Sequence, residues 1–129
     1  LLMNKYCKRI SSFINSEVLF INEKNNLKLE KKISNLIKDQ DSLIVLDEHG
    51  TLMNSKEYAL FLNKKMKQVN TIFFLVGASY GLPSNIINQA NFKISLSKMT
   101  LPHLIARLVL VEQTYRALTI LNNHPYHHE

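Results

Sequence analysis

Five histidines, a single cysteine and three glycines are the residues of this chain whose chemistry goes beyond packing. Three of the histidines crowd the tail, Asn123-His124-Pro125-Tyr126-His127-His128-Glu129. Imidazoles so close together suggest a metal, but their spacing with the neighbouring carboxylate matches no standard site. Two other uses fit the same residues. One is a solvated chain end; the other is a set of aromatic and imidazole groups that stack on, or hydrogen-bond to, an unpaired RNA base. His103 stands at the start of a helical pattern and reads as a structural or capping group, while His49 in the acidic loop Asp47-Glu48-His49-Gly50 suits either role. Cys7 has no partner for an internal disulfide, which fits a reducing cytoplasm. It lies in a lysine-rich helical pattern without a nearby histidine, so it reads as filler rather than as a nucleophile.

Gly77 and Gly81 bracket a loop that follows an apolar run. The chain holds neither G-x-x-x-x-G-K-[ST] nor G-x-G-x-x-G, so a phosphate cradle is not indicated. Glycines still allow close backbone approach. A ligand held by main-chain groups and apolar contacts, such as an adenosine without phosphates, fits this loop; so does a plain turn.

These residues need elements to position them, and the pattern alternates helix and strand. Residues 3–14 carry Tyr6, Ile10 and Phe13 at helical spacing. Residues 18–21 read as a short strand and 22–26 as a polar turn; Leu29, Ile33, Leu36 and Ile37 mark one face of a second helix. Leu43-Ile44-Val45-Leu46 is a continuous apolar run, the profile of a strand buried on both faces. Asn54 and Glu57 form a capping pair for a helix reaching about Lys67. Residues 71–76 make another apolar strand, and 85–89 a short helix. Phe92, Ile94 and Leu96 then alternate with Lys93, Ser95 and Ser97, giving a strand, a tight polar crossing and the longest helix. Pro102 suits that helix's first turn and Thr100 its cap. This order predicts an α/β fold with a mostly parallel sheet and helices on both faces. In such sheets ligands bind beyond the carboxyl ends of the strands, here Leu46-Asp47, Val76-Gly77 and Leu96-Ser97.

The long helix is apolar on nearly every side from Leu101 to Val111, Arg107 being the only charge. Such a helix must be covered on both sides, and one small sheet covers only one. The reading therefore expects a homodimer through this helix. A membrane span is excluded because Arg107, Glu112, Gln113 and Arg116 interrupt a run that would need about 18 apolar residues.

A length of 129 residues sets a single domain over residues 1–129, and 46% apolar with 20% charged residues describes a folded soluble protein. No signal peptide is evident at the start. The net charge of +6 favours polyanionic partners. Twelve of the sixteen Lys and Arg residues precede Val69 among eight acids, so no single run forms a basic tract.

Several blocks resemble one family: Leu46-Asp47-Glu48-His49-Gly50, Phe74-Leu75-Val76-Gly77 with Gly81-Leu82, Ser95-Leu96-Ser97-Lys98-Met99-Thr100-Leu101-Pro102-His103, Glu112-Gln113-Thr114-Tyr115-Arg116-Ala117, and Asn123-His124-Pro125-Tyr126-His127. Together they are similar to the ribosomal RNA large-subunit methyltransferase H family (RlmH) of the SPOUT superfamily. The resemblance covers essentially the whole chain, and the L-S-x-M-T-L-P-H and H-P-Y-H blocks carry most of its specificity. It implies a SPOUT-like C-terminal trefoil knot, a rare exception to unknotted topology. It further implies S-adenosyl-L-methionine as cofactor, a dimer through the C-terminal helix, and methylation of N3 of a pseudouridine in large-subunit ribosomal RNA on the assembled ribosome. Carried over, the cofactor contacts are Leu46, Gly77, Leu96, Ser97, Lys98, Met99, Thr100 and Leu101. Arg116, His124, Tyr126 and His127 match positions tied to RNA engagement or catalysis, the tail reaching a partner subunit's site. No metal and no membrane enter this reading, and the location implied is cytoplasmic.

Three departures from the family pattern stand out. Gly77-Ala78 replaces two glycines, His128 stands where Lys or Arg is usual, and relatives begin with a further strand and loop of about 20 residues. The fold expected is thus N-terminally shortened by one strand. Two other function classes remain beside the enzyme. One is an inactive RNA- or ribosome-binding remnant, marked by dimerisation without cofactor binding. The other is an unrelated small-molecule-binding α/β domain, marked by cofactor binding without ribosome methylation.

Overall fold

In a computed structural model, residues 1–77 and 81–128 are described. The elements run α1 Leu2–Ile10, α2 Asn26–Leu36, β1 Ser42–Leu52, α3 Ser55–Gln68, β2 Ile72–Leu75, α4 Ser84–Gln89, β3 Phe92–Ser95 and α5 His103–Leu121. The three strands form one sheet in the order β2-β1-β3, both pairings parallel. The α/β class and the parallel sheet expected from the alternating pattern are therefore present.

The apolar run at the start of β1 explains its central place. Leu43, Ile44 and Val45 are buried, alternating between two cores. Ile44 packs with Ile10 of α1, Tyr58, Ala59 and Leu62 of α3, and Tyr115, Ala117 and Leu118 of α5. Leu43 and Val45 pack on the other face with Ile33 of α2 and Ile86 of α4. Each fully buried aliphatic side chain contributes about 1.5–3 kcal/mol through removal from water, which fixes the strand between two helical layers. β2 is equally apolar but only half-buried, because it forms an edge with one neighbour. Asn54 and Glu57 do form the reciprocal cap of α3: the Glu57 N–H donates to Asn54 Oδ1, and the Asn54 N–H to Glu57 Oε1, both at 2.8 Å.

Four local expectations change. Residues 18–21 form no strand: Val18, Leu19 and Phe20 are exposed, and only Ile21 packs, against the second core. β-Prone composition makes a strand only where a neighbour offers main-chain donors and acceptors; here the Arg107 guanidinium lies over the Phe20 ring at 5.3 Å instead. α1 stops at Ile10 rather than at residue 14, where the Ser11 and Ser12 hydroxyls donate back to the carbonyls of Lys8 and Arg9. Those hydroxyls compete with the helical bonding pattern. β3 ends at Ser95, one residue before Leu96. Finally, Thr100 does not cap α5; Pro102 occupies the cap position, and the Thr100 hydroxyl is engaged elsewhere.

α5 changes character along its length. From Leu110 onward it carries five buried residues, whereas Leu104 and Ile105 in its first turn are 64% and 47% exposed. No helix among the described residues is long and apolar enough to cross a membrane.

Candidate active site

The carboxyl end of the sheet is shaped by an interruption in β1. Leu46 pairs with Ile94 of β3, and Thr51 pairs with the same Ile94, so residues 47–50 bulge out of the ladder. Gly50 closes the bulge. A Cβ there would sit 2.8 Å from three main-chain atoms of Lys93 and Ile94, atoms that cannot rotate aside. Gly50→Ala is expected to cost about 3 kcal/mol or more through this overlap, read as a lowered melting temperature; an unchanged melt would show that the bulge is not packed as described.

Beyond β3 the chain crosses to α5 on hydroxyl bonds. Ser95 Oγ donates to the Ser97 carbonyl at 2.8 Å, the Met99 N–H donates to Ser97 Oγ at 2.9 Å, and Thr100 Oγ1 donates to Glu48 Oε2 at 3.0 Å. That last bond ties the crossing to the β1 bulge. Among the described residues, the main-chain groups of residues 96–101 make no hydrogen bond to another main-chain group. The third strand end is close in register: Val45 pairs with Leu75, two residues before Gly77. A Cβ on Gly77 would lie 3.0 Å from the Gly81 carbonyl carbon and from Leu82 Cγ, so the neck of this loop accepts only glycine without a shift. Gly81 has φ +75°, a left-handed conformation that glycine adopts freely. Ala78, Ser79 and Tyr80, including the family departure at Ala78, lie outside the described residues.

This edge fits a nucleoside without phosphates. Its hydroxyls are consumed in holding the crossing, its main-chain groups are open to a ligand, and Leu46, Leu96, Met99 and Leu101 supply apolar surface. A cavity of about 310 Å³ adjoins the crossing, lined by Ser95, Leu96, Ser55, Tyr58, Leu110 and Gln113. A more open groove of about 410 Å³ runs from His49 to Lys93 and includes neither Leu46 nor Gly77. It is too open to exclude water, so the crossing is the stronger candidate.

The second cluster lies at the other end of α5. Arg116 Nε donates to Glu112 Oε1 at 2.8 Å, its Nη1 lies 3.0 Å from His127 Nδ1, and its Cζ stands 4.8 Å over the Tyr126 ring. The Tyr126 hydroxyl meets Glu112 Oε1 at 3.5 Å and the Tyr6 hydroxyl at 3.3 Å, while its ring packs edge-on against buried Tyr115. The tail is folded back rather than frayed. Asn123 takes φ 57°, the His124 N–H donates to the Thr119 carbonyl at 2.8 Å, and the His124 ring meets Phe13 edge-on. Arg116, Tyr126 and His127 are thus brought together; His124 belongs to the same fold of the tail but touches α1's flank instead. Among the described residues, no group of three or more His, Cys, Asp or Glu is placed to hold a metal ion.

Burial, the Tyr6 hydrogen bond and the Glu112 charge push the Tyr126 hydroxyl up to about 12, against the opposing pull of Arg116. Burial raises Tyr58 as well. Both phenols therefore stay protonated in the folded chain above the ordinary tyrosine value of about 10. Because folding holds these protons, stability is complete below pH ~10 and declines as pH rises toward 12. Tyr126→Phe is expected to flatten part of that alkaline decline in pH-dependent melts; an unaltered decline would contradict it. Burial also pushes the Cys7 thiol up, away from a reactive thiolate.

Glu48, Glu112, Tyr6 and Arg9 were not singled out by sequence reasoning, yet all bear on these clusters. Arg9 lies over the Tyr6 and Tyr115 rings at 5.5 and 5.7 Å. The four-residue spacing of Glu112 and Arg116 was a usable signal; the contact between Tyr6 and Tyr126 had no local signature.

Comparison with known proteins matches residues 1–127 to the family described as predicted SPOUT methyltransferases. The ribosomal RNA large subunit methyltransferase H of Bacteroides fragilis is 41% identical over 98% of this chain and 88% of its own length. Its namesake in Phocaeicola vulgatus is 43% identical over the same shares, and that of Cytophaga hutchinsonii 40% identical over 96% and 86%. With a match over nearly its whole length, the chain belongs to the SPOUT methyltransferase family.

Proposed function

We propose that this protein is an S-adenosyl-L-methionine-dependent methyltransferase acting on N3 of a pseudouridine in large-subunit ribosomal RNA, on the assembled ribosome. The relatives' names support ribosomal RNA as the substrate. The observation that carries the reading is the crossing itself: residues 96–101 pinned to the β1 bulge by Thr100 and Glu48, with main-chain groups unspent, beside Leu46 and Gly77. When bound, the cofactor supplies an electrophilic methyl on a sulfonium. The chain supplies alignment and exclusion of competing water. Leu46, Gly77 and residues 96–101 hold the donor in this reading, with the crossing tied as the trefoil knot of the family.

The acceptor is held by the second cluster, and that requires a second subunit. Thirteen residues separate His103 from Arg116, roughly 20 Å along a helix. A single chain therefore keeps its crossing and its tail apart. The exposed Leu104 and Ile105 provide the face through which two copies pair, bringing one subunit's Arg116, His124, Tyr126 and His127 to the other's crossing. As methyl moves to N3, the sulfur–carbon bond breaks with its electrons left on sulfur, and the N3 proton passes to solvent.

Incubation with labelled cofactor and ribosomes lacking the modification tests this directly. The expected result is label in large-subunit RNA at a pseudouridine, more from assembled ribosomes than from free large subunits. No label from an intact, dimeric preparation would overturn it.

A further inference from the structure

The arrangement of hydrogens around His127 follows from its neighbour. Arginine has donors and no acceptor, so where Arg116 Nη1 sits 3.0 Å from His127 Nδ1, the imidazole nitrogen must accept. The ring proton is then on Nε2, the tautomer being set by the bond the other nitrogen makes. The guanidinium is not free to swing away. Glu112 holds its Nε at 2.8 Å and Tyr126 covers its face at 4.8 Å, while Tyr126 is itself wedged between Tyr115, Tyr6 and Glu112. A proton on Nδ1 would set donor against donor and cation against cation. No described residue bonds Nε2.

We propose that His127 acts as a hydrogen-bond donor through Nε2–H, locked in that form by Arg116, and that the pair recognises the carbonyl oxygen beside the reacting nitrogen of an imide base. This rests on the function proposed above and assigns a role within it. An imide N–H lies between two carbonyls, and loss of its proton places the negative charge on those oxygens. Donors fixed in advance stabilise such charge without reorganising. A cytosine-type base offers an amino donor at the corresponding edge and meets Nε2–H donor to donor, so it is rejected. In this role His127 takes no proton from the base: Nδ1 is occupied and Nε2 has no free lone pair. Glu112 is the positioning residue, acting through the guanidinium it holds.

Two measurements test the assignment. In protein labelled with ¹⁵N-histidine and free of RNA, long-range ¹H–¹⁵N spectra are expected to show Nε2 protonated and Nδ1 bare, the signals being assigned by their loss in His127→Gln. A protonated Nδ1, or an averaged mixture of tautomers, would overturn the assignment even if the enzyme is active. For turnover, His127→Gln keeps an N–H donor and is expected to retain kcat within about 10-fold, whereas His127→Glu, a base with no donor, is expected to lose about 100-fold or more. The reverse order, or equal losses in variants that melt like wild type, would overturn it. Wild-type protein that methylates nothing would defeat the proposed function while leaving the spectra to decide the tautomer.

Discussion

Arg116→Ala is expected to slow methyl transfer by about 100-fold or more, the scale seen when a fixed donor to developing charge is removed. The guanidinium is the common element of the tail cluster, joining Glu112, His127 and the Tyr126 ring. Its removal leaves a partly buried Glu112 carboxylate without its cation and frees the His127 ring to turn. Stability is expected to fall by only about 1–2 kcal/mol, because this is a single helical pair next to solvent rather than a core contact. Single-turnover methylation of ribosomes, paired with thermal melts, separates the two effects. A near-normal rate in the variant would remove Arg116 from the site.

Leu104→Glu combined with Ile105→Glu is expected to convert a dimer to monomers and abolish activity. Both side chains are exposed on a single chain, so the change costs the isolated subunit nothing in packing. In a two-fold interface each substitution appears twice, placing four like charges where apolar surface would otherwise be buried. Even about 4 kcal/mol of desolvation and repulsion weakens association on the order of 1000-fold. Sedimentation equilibrium reads the mass directly. A double variant that remains dimeric would move the interface away from this end of α5.

The sequence made the framework legible where local pattern and burial agree. The run 43–46 shows both its strand character and its double-sided burial, which Leu43, Ile44 and Val45 bear out. Asn54 and Glu57 announce a helix start through their own mutual bonds. Residues 18–21 misled for the opposite reason, since strand formation depends on a neighbour that composition does not reveal. Thr100 has the chemistry of a cap, yet a carboxylate 52 residues away claims its hydroxyl. The tail pattern showed that Tyr126 and His127 had chemical potential; it could not show that Tyr6 and Arg9, near the other end of the chain, complete their surroundings. Contacts between distant positions, fixed only by packing, are what the pattern left out.

The central claim is that the donor site of one subunit is completed by the tail of the other. Heterodimers test it most directly, built by co-expressing an Arg116→Ala subunit with a Gly77→Val subunit under two affinity tags. Gly77→Val fills the 3.0 Å gap to Gly81 and Leu82 and disables the donor side, while Arg116→Ala disables the acceptor side. Each homodimer is expected to be inactive, and the heterodimer to recover about half of wild-type activity, because one of its two sites pairs an intact crossing with an intact tail. A heterodimer as inactive as its parents, with mass and melting intact, would place crossing and tail in the same chain and contradict the account.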